Sequence, residues 1–569
     1  MRTLTRNEFL KISGAGIGSV GLMTLLTGCG SSSSSSSSSS ESESSSSSES
    51  SAEETVTEEP EYALAENQTQ NGYNPGSGVP EGIQEGTVLN ISYHGQDFPG
   101  HITWINSQDV ALHVNVFESL FYFYQGDIDD IRGGLIESWE WADDNLSIVM
   151  QVRQGVTFTD GTVCDAQAIV DSFTMGAAVY NSGCFTNIES MEATGEYELT
   201  FVFNNYYANF MQKFAGNDCP VVSPTAMETY GPESNDAAIG TGPYYIDNYV
   251  SGEILTLKAN ANYYLDEKMP HIETINFYVL PNEETQNAAY ISGEIDYLKT
   301  NVLEQVYAVE DAGLGDTVYY KDAPNQTWMF NMTLEVFQSE KVREALVKMV
   351  DWEAVNEICF DGTNELATGL FAETSPLYFD STDYYYYDPE EALQILEEEG
   401  VSPSDISFTI LSATSYLNVA TALQSQFAEY GIDVSIEETE SSATSSRLGS
   451  GDFEVVNTNC AHGEANPWLY YQLNFQAYTV NHAWDASIAD PEVYAECKAL
   501  YAQAIVCETY EEMCEVGTQI TELLTEHYMY LGGYHPYEYY ILADHVKNVV
   551  ATSGMGWPEL CYSYIEYDD

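Results

Sequence analysis

The chain has 569 residues, too many for a single hydrophobic core, and sets 89 acidic against 16 basic side chains, a formal net charge of −73. A field of that sign and size repels nucleic acid and anionic membrane, so neither is expected as a partner. The acidic excess reads first as a solvated, soluble surface and second as a preference for cationic ligands.

At the N-terminus, Arg2, Arg6 and Lys11 precede an apolar, Gly-rich run from Ile12 to Leu26. The run is short for a bilayer span, and no other stretch reaches roughly 18 uninterrupted apolar residues. A basic start, a short apolar run and small residues before a break read as a signal peptide over residues 1–28. The break, Leu26-Thr27-Gly28-Cys29, resembles a bacterial lipobox. That resemblance implies lipidation of the Cys29 thiol, with Cys29 as first residue of the exported chain. A diacylglyceryl group supplies the two acyl chains that stable anchoring requires. Thr5–Lys11 resembles a twin-arginine export motif, but Asn7 stands where the second Arg belongs, so the general route is expected. Without residues 1–28 the chain keeps 13 basic and 88 acidic residues, a formal charge of −75.

Nine cysteines remain: Cys164, Cys184, Cys219, Cys359, Cys460, Cys497, Cys507, Cys514 and Cys561. An odd number cannot all pair within one chain. Export permits disulfides, and burial as small apolar residues is the other reading. None is spaced as CxxC, so zinc and redox motifs are unsupported.

Residues 31–40 are ten consecutive serines, and Ser/Glu bias runs on to about Glu59. Such a stretch cannot bury a core. Residues 29–86 therefore read as a tether with a root-mean-square span of about 40 Å, lengthened by charge repulsion. The body runs from Thr87 to Asp569 and divides into two or three domains. In chain order, Val88–Tyr93 is a strand, and Asp165–Tyr180 is a helix with Ala166, Ile169, Val170 and Phe173 at helical spacing. Asp160-Gly161 is a turn dipeptide. Glu198–Phe203 and Ile272–Leu280 are strands. Ser339–Val350 is a helix with Ser339 as N-cap. Pro389–Glu399 is a helix stopped by Gly400. Ala420–Tyr430, Gly431 and Ile432–Glu437 form helix, turn and strand. The mixture is α/β or α+β, with no solenoid repeat.

Several segments, in order, resemble the family-5 extracellular solute-binding proteins, the binding subunits of oligopeptide, dipeptide and nickel ABC importers. They are Val116–Leu120 (VFESL), Gly134–Trp139 (GLIESW), Val152–Thr162 (VRQGVTFTDGT), Gly240–Tyr244 (GTGPY), Asn260–Tyr264, Ser292–Asp296 (SGEID), Val342–Leu346 (VREAL), Asp388–Ala392 (DPEEA), Tyr430–Val434 and Gly451–Glu454. Each motif is weak alone, and the order over residues 88–470 is specific. Read locally, Gly240 and Gly242 of GTGPY allow positive φ or close backbone approach, and Trp139 and Trp141 alternate as in a half-buried strand.

The resemblance implies a two-lobe, periplasmic-binding-protein-like clamshell of class II type, mixed α/β and α+β, with an extra inserted domain. The implied division is domain I from 87–118, 223–328 and 531–569, domain II from 119–222, and domain III from 329–530. It implies capture of a peptide or other small solute by hinge closure, ABC permease and ATPase subunits as partners, a monomer anchored outside the cell membrane through Cys29, and no cofactor. Many peptide binders of the family carry W-x-aDy-x-dP, whose Asp meets the peptide ammonium. Here the stretch is Cys460–Pro467, which puts Cys460 at the Trp position and Gly463 at the Asp position. Glu464, one residue later, is expected to supply the anion. His462 invites a nickel reading, but a lone loop His is more often a hydrogen-bonding side chain, and the histidines show no metal-like spacing, so no metal site is expected. Trp328 falls where the family places cleft-facing aromatics, with a core position as the alternative. Arg447 would meet a ligand carboxylate or else form a surface ion pair. Ser107, Tyr244 and Trp468 complete the expected ligand contacts.

An oligosaccharide or nickel complex on the same scaffold, a cell-surface hydrolase and a lectin are the alternatives. The chain has no HExxH or GxSxG, and its GxGxxG match, Gly16–Gly21, lies inside the signal segment.

Overall fold

The computed structural model describes residues 79–93, 114–124, 130–179, 185, 187–216, 219–280, 282–300, 303–314, 316–320, 326–362, 364–373, 375–459, 489–535, 538–550 and 559–566. The signal segment, Cys29, the tether up to residue 78, Ser107 and 460–488 lie outside them.

The chain enters on β1 (Gln84–Tyr93), whose Leu89 and Ile91 are fully buried. It then leaves for an inserted four-stranded antiparallel sheet: β2 (Ile136–Trp141), β3 (Ser147–Val152), β4 (Ile188–Gly195) and β5 (Glu198–Phe203), ordered β2-β3-β5-β4. Alternation in β3 and β5 buries Ile148, Met150, Leu199 and Phe201 against helix α1 (Ala166–Val179) and a set of edge-packed phenylalanines. In the turn before α1, Gly161 takes φ of 86°, a conformation that suits glycine, and Asp160 accepts from Thr162 N at 2.8 Å. Trp139 and Trp141 pack on phenylalanines, at 5.1 Å from Phe121 and 5.5 Å from Phe203 between ring centroids.

Five more strands return to β1's sheet: β6 (Tyr244–Val250), β7 (Ile254–Ala259), β8 (Ile272–Val279), β9 (Tyr297–Thr300) and β10 (Asp316–Tyr320). Helices α2 (Glu283–Ile291) and α3 (Leu303–Ala312) connect the last three. β1 runs parallel to both β8 and β9, with Ile91 opposite Phe277 and Tyr297. One continuous apolar cluster includes Ile91, Phe277 and Tyr297 of this sheet and Met150, Phe173 and Phe201 of the inserted domain, so the two share a core.

The second lobe begins at β11 (Gln326–Phe330) and builds a six-stranded sheet with β12 (Glu365–Leu366), β13 (Ser407–Ala413), β14 (Asp433–Thr439), β15 (Val455–Asn459) and β16 (Gly532–His535), ordered β12-β16-β11-β15-β13-β14. Its helices are α4 (Glu340–Lys348), α5 (Trp352–Phe360), α6 (Pro389–Glu399), α7 (Leu417–Glu429), α8 (Ser441–Ser450), α9 (Pro491–Ala504) and α10 (Tyr510–Glu526). Ser339 caps α4 by accepting from Val342 N, and Gly400 ends α6 at φ of 70°. The chain then returns to the first sheet as β17 (Glu538–Leu542), between β9 and β10. Both β11 and β16 belong to the second sheet. The chain therefore passes between the two sheets after β10 and again after β16, and these passages are its crossovers. No change in composition marks the crossovers, since the strands on either side of each all carry aromatic residues.

Of the described cysteines, Cys164, Cys219, Cys497, Cys514 and Cys561 are buried. Among the described residues, no helix is long and apolar enough to cross a membrane.

Candidate functional site

The strand directions place the site. In the first sheet, β10 and β9 are both antiparallel to β17, so β10 runs with β9 and β1. Its carboxyl end, Tyr320, pairs with Glu538 at the start of β17. In the second sheet, β13, β14 and β15 are mutually parallel, and β11 runs against β15, with Gln326 opposite Asn459. Gln326 also pairs with Tyr534, near the end of β16. Both crossovers therefore join the carboxyl-end edge of one parallel set to the carboxyl-end edge of the other. In open α/β sheets ligands bind at carboxyl ends, and here two such edges are linked by two adjacent chain passages.

The segments that follow these ends carry most of the expected contacts. Residues 94–113, with Ser107, follow β1, and residues 460–488, with His462, Gly463, Glu464 and Trp468, follow β15. These five residues lie outside the described ones.

Trp328 sits two residues inside the crossover on β11, fully buried, with its carbonyl accepting from Leu531 N at 2.7 Å. Its cross-strand partners are Asn457 and Gly532. A Cβ on Gly532 would lie 2.6 Å from Trp352 Nε1, so glycine lets the α5 indole close over this part of the sheet. Gln326 Oε1, Trp328 Nε1, Asn457 Nδ2 and Trp352 Nε1 are all buried without a hydrogen-bond partner among the described residues. Buried polar atoms are ordinarily satisfied, so this group beside the crossover calls for water or solute. Periodicity in β11 marks a strand but gives no sign of this group, because its members are up to 131 residues apart in sequence.

Arg447, on α8 after β14, is held by two carboxylates: Nη1 lies 2.7 Å from Glu437 and Nε 3.1 Å from Asp452. The hydrogen bond to Glu437 raises its pKa further. Tyr244 lies on β6, at the sheet edge opposite the crossover strands. It is fully buried, its hydroxyl 3.5 Å from the Leu560 carbonyl, and burial holds that hydroxyl well above the usual tyrosine range. The structure thus brings Trp328 to the crossover edge and gives Tyr244 a place in the first-lobe core.

The resembling motifs around Tyr244 form a buried polar junction. Glu118 of VFESL accepts from Thr241 of GTGPY at 2.9 Å and from Tyr263 at 2.6 Å. Asn260 donates to the Gly242 carbonyl at 3.0 Å. A Cβ on Gly240 would sit 2.2 Å from the Val116 carbonyl oxygen, so close approach, rather than positive φ, is what these glycines provide. Buried Lys268 lies 3.3 Å from Glu559 and 4.8 Å from the Tyr122 ring. Burial alone would lower the lysine, but Glu559 and Glu118 more than offset it and hold the ammonium above its ordinary value. This junction fixes the first lobe and lies away from the crossover edge.

Two open sheets whose carboxyl-end edges are joined by paired crossovers make a two-lobe fold. The sequence profile of the bacterial extracellular solute-binding proteins, family 5 (middle), matches residues 130–482, and the chain belongs to that family. Among curated relatives, the glutathione-binding protein GsiB of Escherichia coli K12 is 26% identical over 326 residues, 55% of this chain and 63% of that protein. The GsiB of Shigella flexneri matches to the same extent. Among solved structures, NikA from Brucella suis in complex with Fe(III)-EDTA superposes with a TM-score of 0.74 at 20% identity, over 84% of this chain and 100% of that one. AppA from Bacillus subtilis, an oligopeptide-binding protein in complex with a nonapeptide, gives 0.71 at 18%, over 86% and 100%. At such identities the structures share the fold.

Proposed function

We propose that this chain is the extracellular solute-binding subunit of an ABC importer, holding a small peptide or peptide-like solute between its lobes and passing it to the permease and ATPase subunits. The observation that carries the reading is the pair of adjacent crossovers joining the carboxyl edges of two parallel strand sets. A solute there touches both lobes when they close and one when they part, so it stabilises the closed state by that difference alone. No bond is made or broken, and the chain acts as a carrier without a catalytic step. The relatives' ligands, a tripeptide thiol and a nonapeptide among them, support the peptide class.

In this reading Glu464 receives the solute's ammonium, and the unsatisfied groups of Gln326, Trp328 and Asn457 serve the solute or the waters that bridge to it. Cys29 carries the lipid, and residues 29–86 keep the body near the permease.

Calorimetry and small-angle scattering with a defined peptide set test this. The expected result is saturable binding, a smaller radius of gyration with ligand, an unchanged peptide afterwards, and stabilisation of about 2.7 kcal/mol at a hundredfold excess over Kd. Glu464→Gln should weaken binding by about tenfold or more, the scale of a lost charge-assisted hydrogen bond. Trp328→Phe should weaken it less and lower the melting temperature, because the smaller ring leaves a cavity at a fully buried position. A rigid body that binds no peptide, or that cleaves one, overturns the reading.

A further inference from the structure

Away from the crossover edge, three helices of the second lobe bring their ends together. Glu340 is the first residue of α4, Asp490 is the N-cap of α9, and His527 follows the last turn of α10. Glu340 Oε2 lies 2.7 Å and Asp490 Oδ2 3.8 Å from His527 Nδ1, and the three atoms all fall within 4.8 Å of one another. Each residue is half-buried.

The Arg343 guanidinium also lies near both carboxylates, so charge alone does not call for an ion. A divalent ion bound to the neutral ring would take both carboxylates as ligands. The spacing of the three atoms is close to what such an ion needs. Zinc bonds nitrogen and oxygen at about 2.0–2.2 Å in a tetrahedron, which puts ligand atoms roughly 3.4 Å apart. The observed 2.7 and 3.8 Å bracket that edge.

The ligands are also held from behind, as metal ligands commonly are. The second Asp490 oxygen accepts from Val493 N at 3.1 Å, which orients Oδ2 toward the cluster. Arg343, one turn into α4 from Glu340, is fully buried and donates to the carbonyls of His527 at 2.8 Å and Tyr528 at 3.1 Å. The same guanidinium bonds Phe337 O at 2.9 Å, so it pins the end of α10 to the helix that carries Glu340.

We propose that Glu340, Asp490 and His527 form a three-ligand site for a divalent transition-metal ion of the zinc type, with the remaining position taken by water. A mixed nitrogen and oxygen set selects against Mg²⁺ and Ca²⁺, which take oxygen ligands. The ion ties the starts of α4 and α9 to the end of α10, five residues before β16 and the second crossover. The site is independent of the solute proposal, since no crossover residue takes part.

Metal-stripped full chain titrated with Zn²⁺ against a chromophoric chelator, with Mg²⁺ and Ca²⁺ as controls, tests the site. Asp490→Asn keeps a side-chain oxygen for the helix cap while removing the charge, and His527→Gln removes the ring nitrogen. The expected result is one zinc ion more per wild-type chain than per variant chain, or an affinity at least about tenfold lower in both variants. Zinc should also raise the melting temperature of the wild type and leave both variants unmoved. The proposal is overturned if the wild type takes up no zinc, or if both variants bind it with wild-type stoichiometry and affinity, which would leave the three side chains as a helix-capping ion pair.

Discussion

Two buried charges, one in each lobe, are held in opposite ways. In the first, the acid Glu118 is held by the hydroxyls of Thr241 and Tyr263, and the ammonium of Lys268 sits between it and Glu559. In the second, the guanidinium of Arg343 is held by four backbone carbonyls, those of Phe337, Gln338, His527 and Tyr528. The first arrangement joins side chains from segments far apart in sequence, and the result is a sheet and an inserted domain sharing one core. The second joins helix ends through main chain, and the side chains there, Glu340 and His527 among them, face each other instead. A side-chain junction makes its members structural, whereas a main-chain junction positions neighbours.

The comparison breaks most visibly at Arg343. Arg343→Ala leaves a cavity and four backbone carbonyls, two buried and two half-buried, without their donor, and should cost about 4 kcal/mol in urea unfolding. Arg343→Lys should recover little, because an ammonium cannot span four acceptors in a planar fork. In the first lobe the sensitive point is steric. In Gly242→Ala the new Cβ would meet Val116 C and O at 2.6 Å, backbone atoms that cannot step aside. About 3 kcal/mol is expected, the upper range for overpacking. A loss well under 1 kcal/mol at either position would mean that the lobe tolerates rearrangement there.

Much of this was legible locally. The strand at 88–93, which the structure extends back to Gln84, the helix capped by Ser339 and the stop at Gly400 follow from alternation, an N-cap and a glycine, and none of these needs a distant partner. Gly240 was legible in part: its sequence context allowed positive φ or close approach, and the structure shows close approach. Glu118 was not. Its partners lie 123 and 145 residues on, and an acid among 89 acids carries no mark of burial. The same holds for Glu340, Asp490 and His527, which no sequence spacing connects. Trp328 was ambiguous between core and cleft, and the structure makes it both fully buried and unsatisfied at Nε1. Tyr244 resembled a motif residue of a binding protein, and its place in the core follows from its position on β6, which only strand order reveals.

The smallest expected effect is the most discriminating about the first lobe. Burial raises the Glu118 carboxyl above the usual range for glutamate, outweighing Lys268 and the hydroxyl donors. A folded-state value above the unfolded one means that folding takes up a proton. Its contribution is therefore fully present below about pH 4.5 and is lost as pH rises through the folded value. Glu118→Gln removes that slope, because an amide oxygen still accepts from Tyr263 or Thr241 and does not titrate. The cluster of two carboxylates and one ammonium also becomes a balanced pair of Lys268 and Glu559. The variant should be close to the wild type in stability at neutral pH. Its urea midpoint should change less than that of the wild type between about pH 5 and about pH 7. If it instead loses about 2 kcal/mol or more at neutral pH, the ionised carboxylate is what the two hydroxyls require. The first lobe would then depend on charge as directly as the second depends on Arg343.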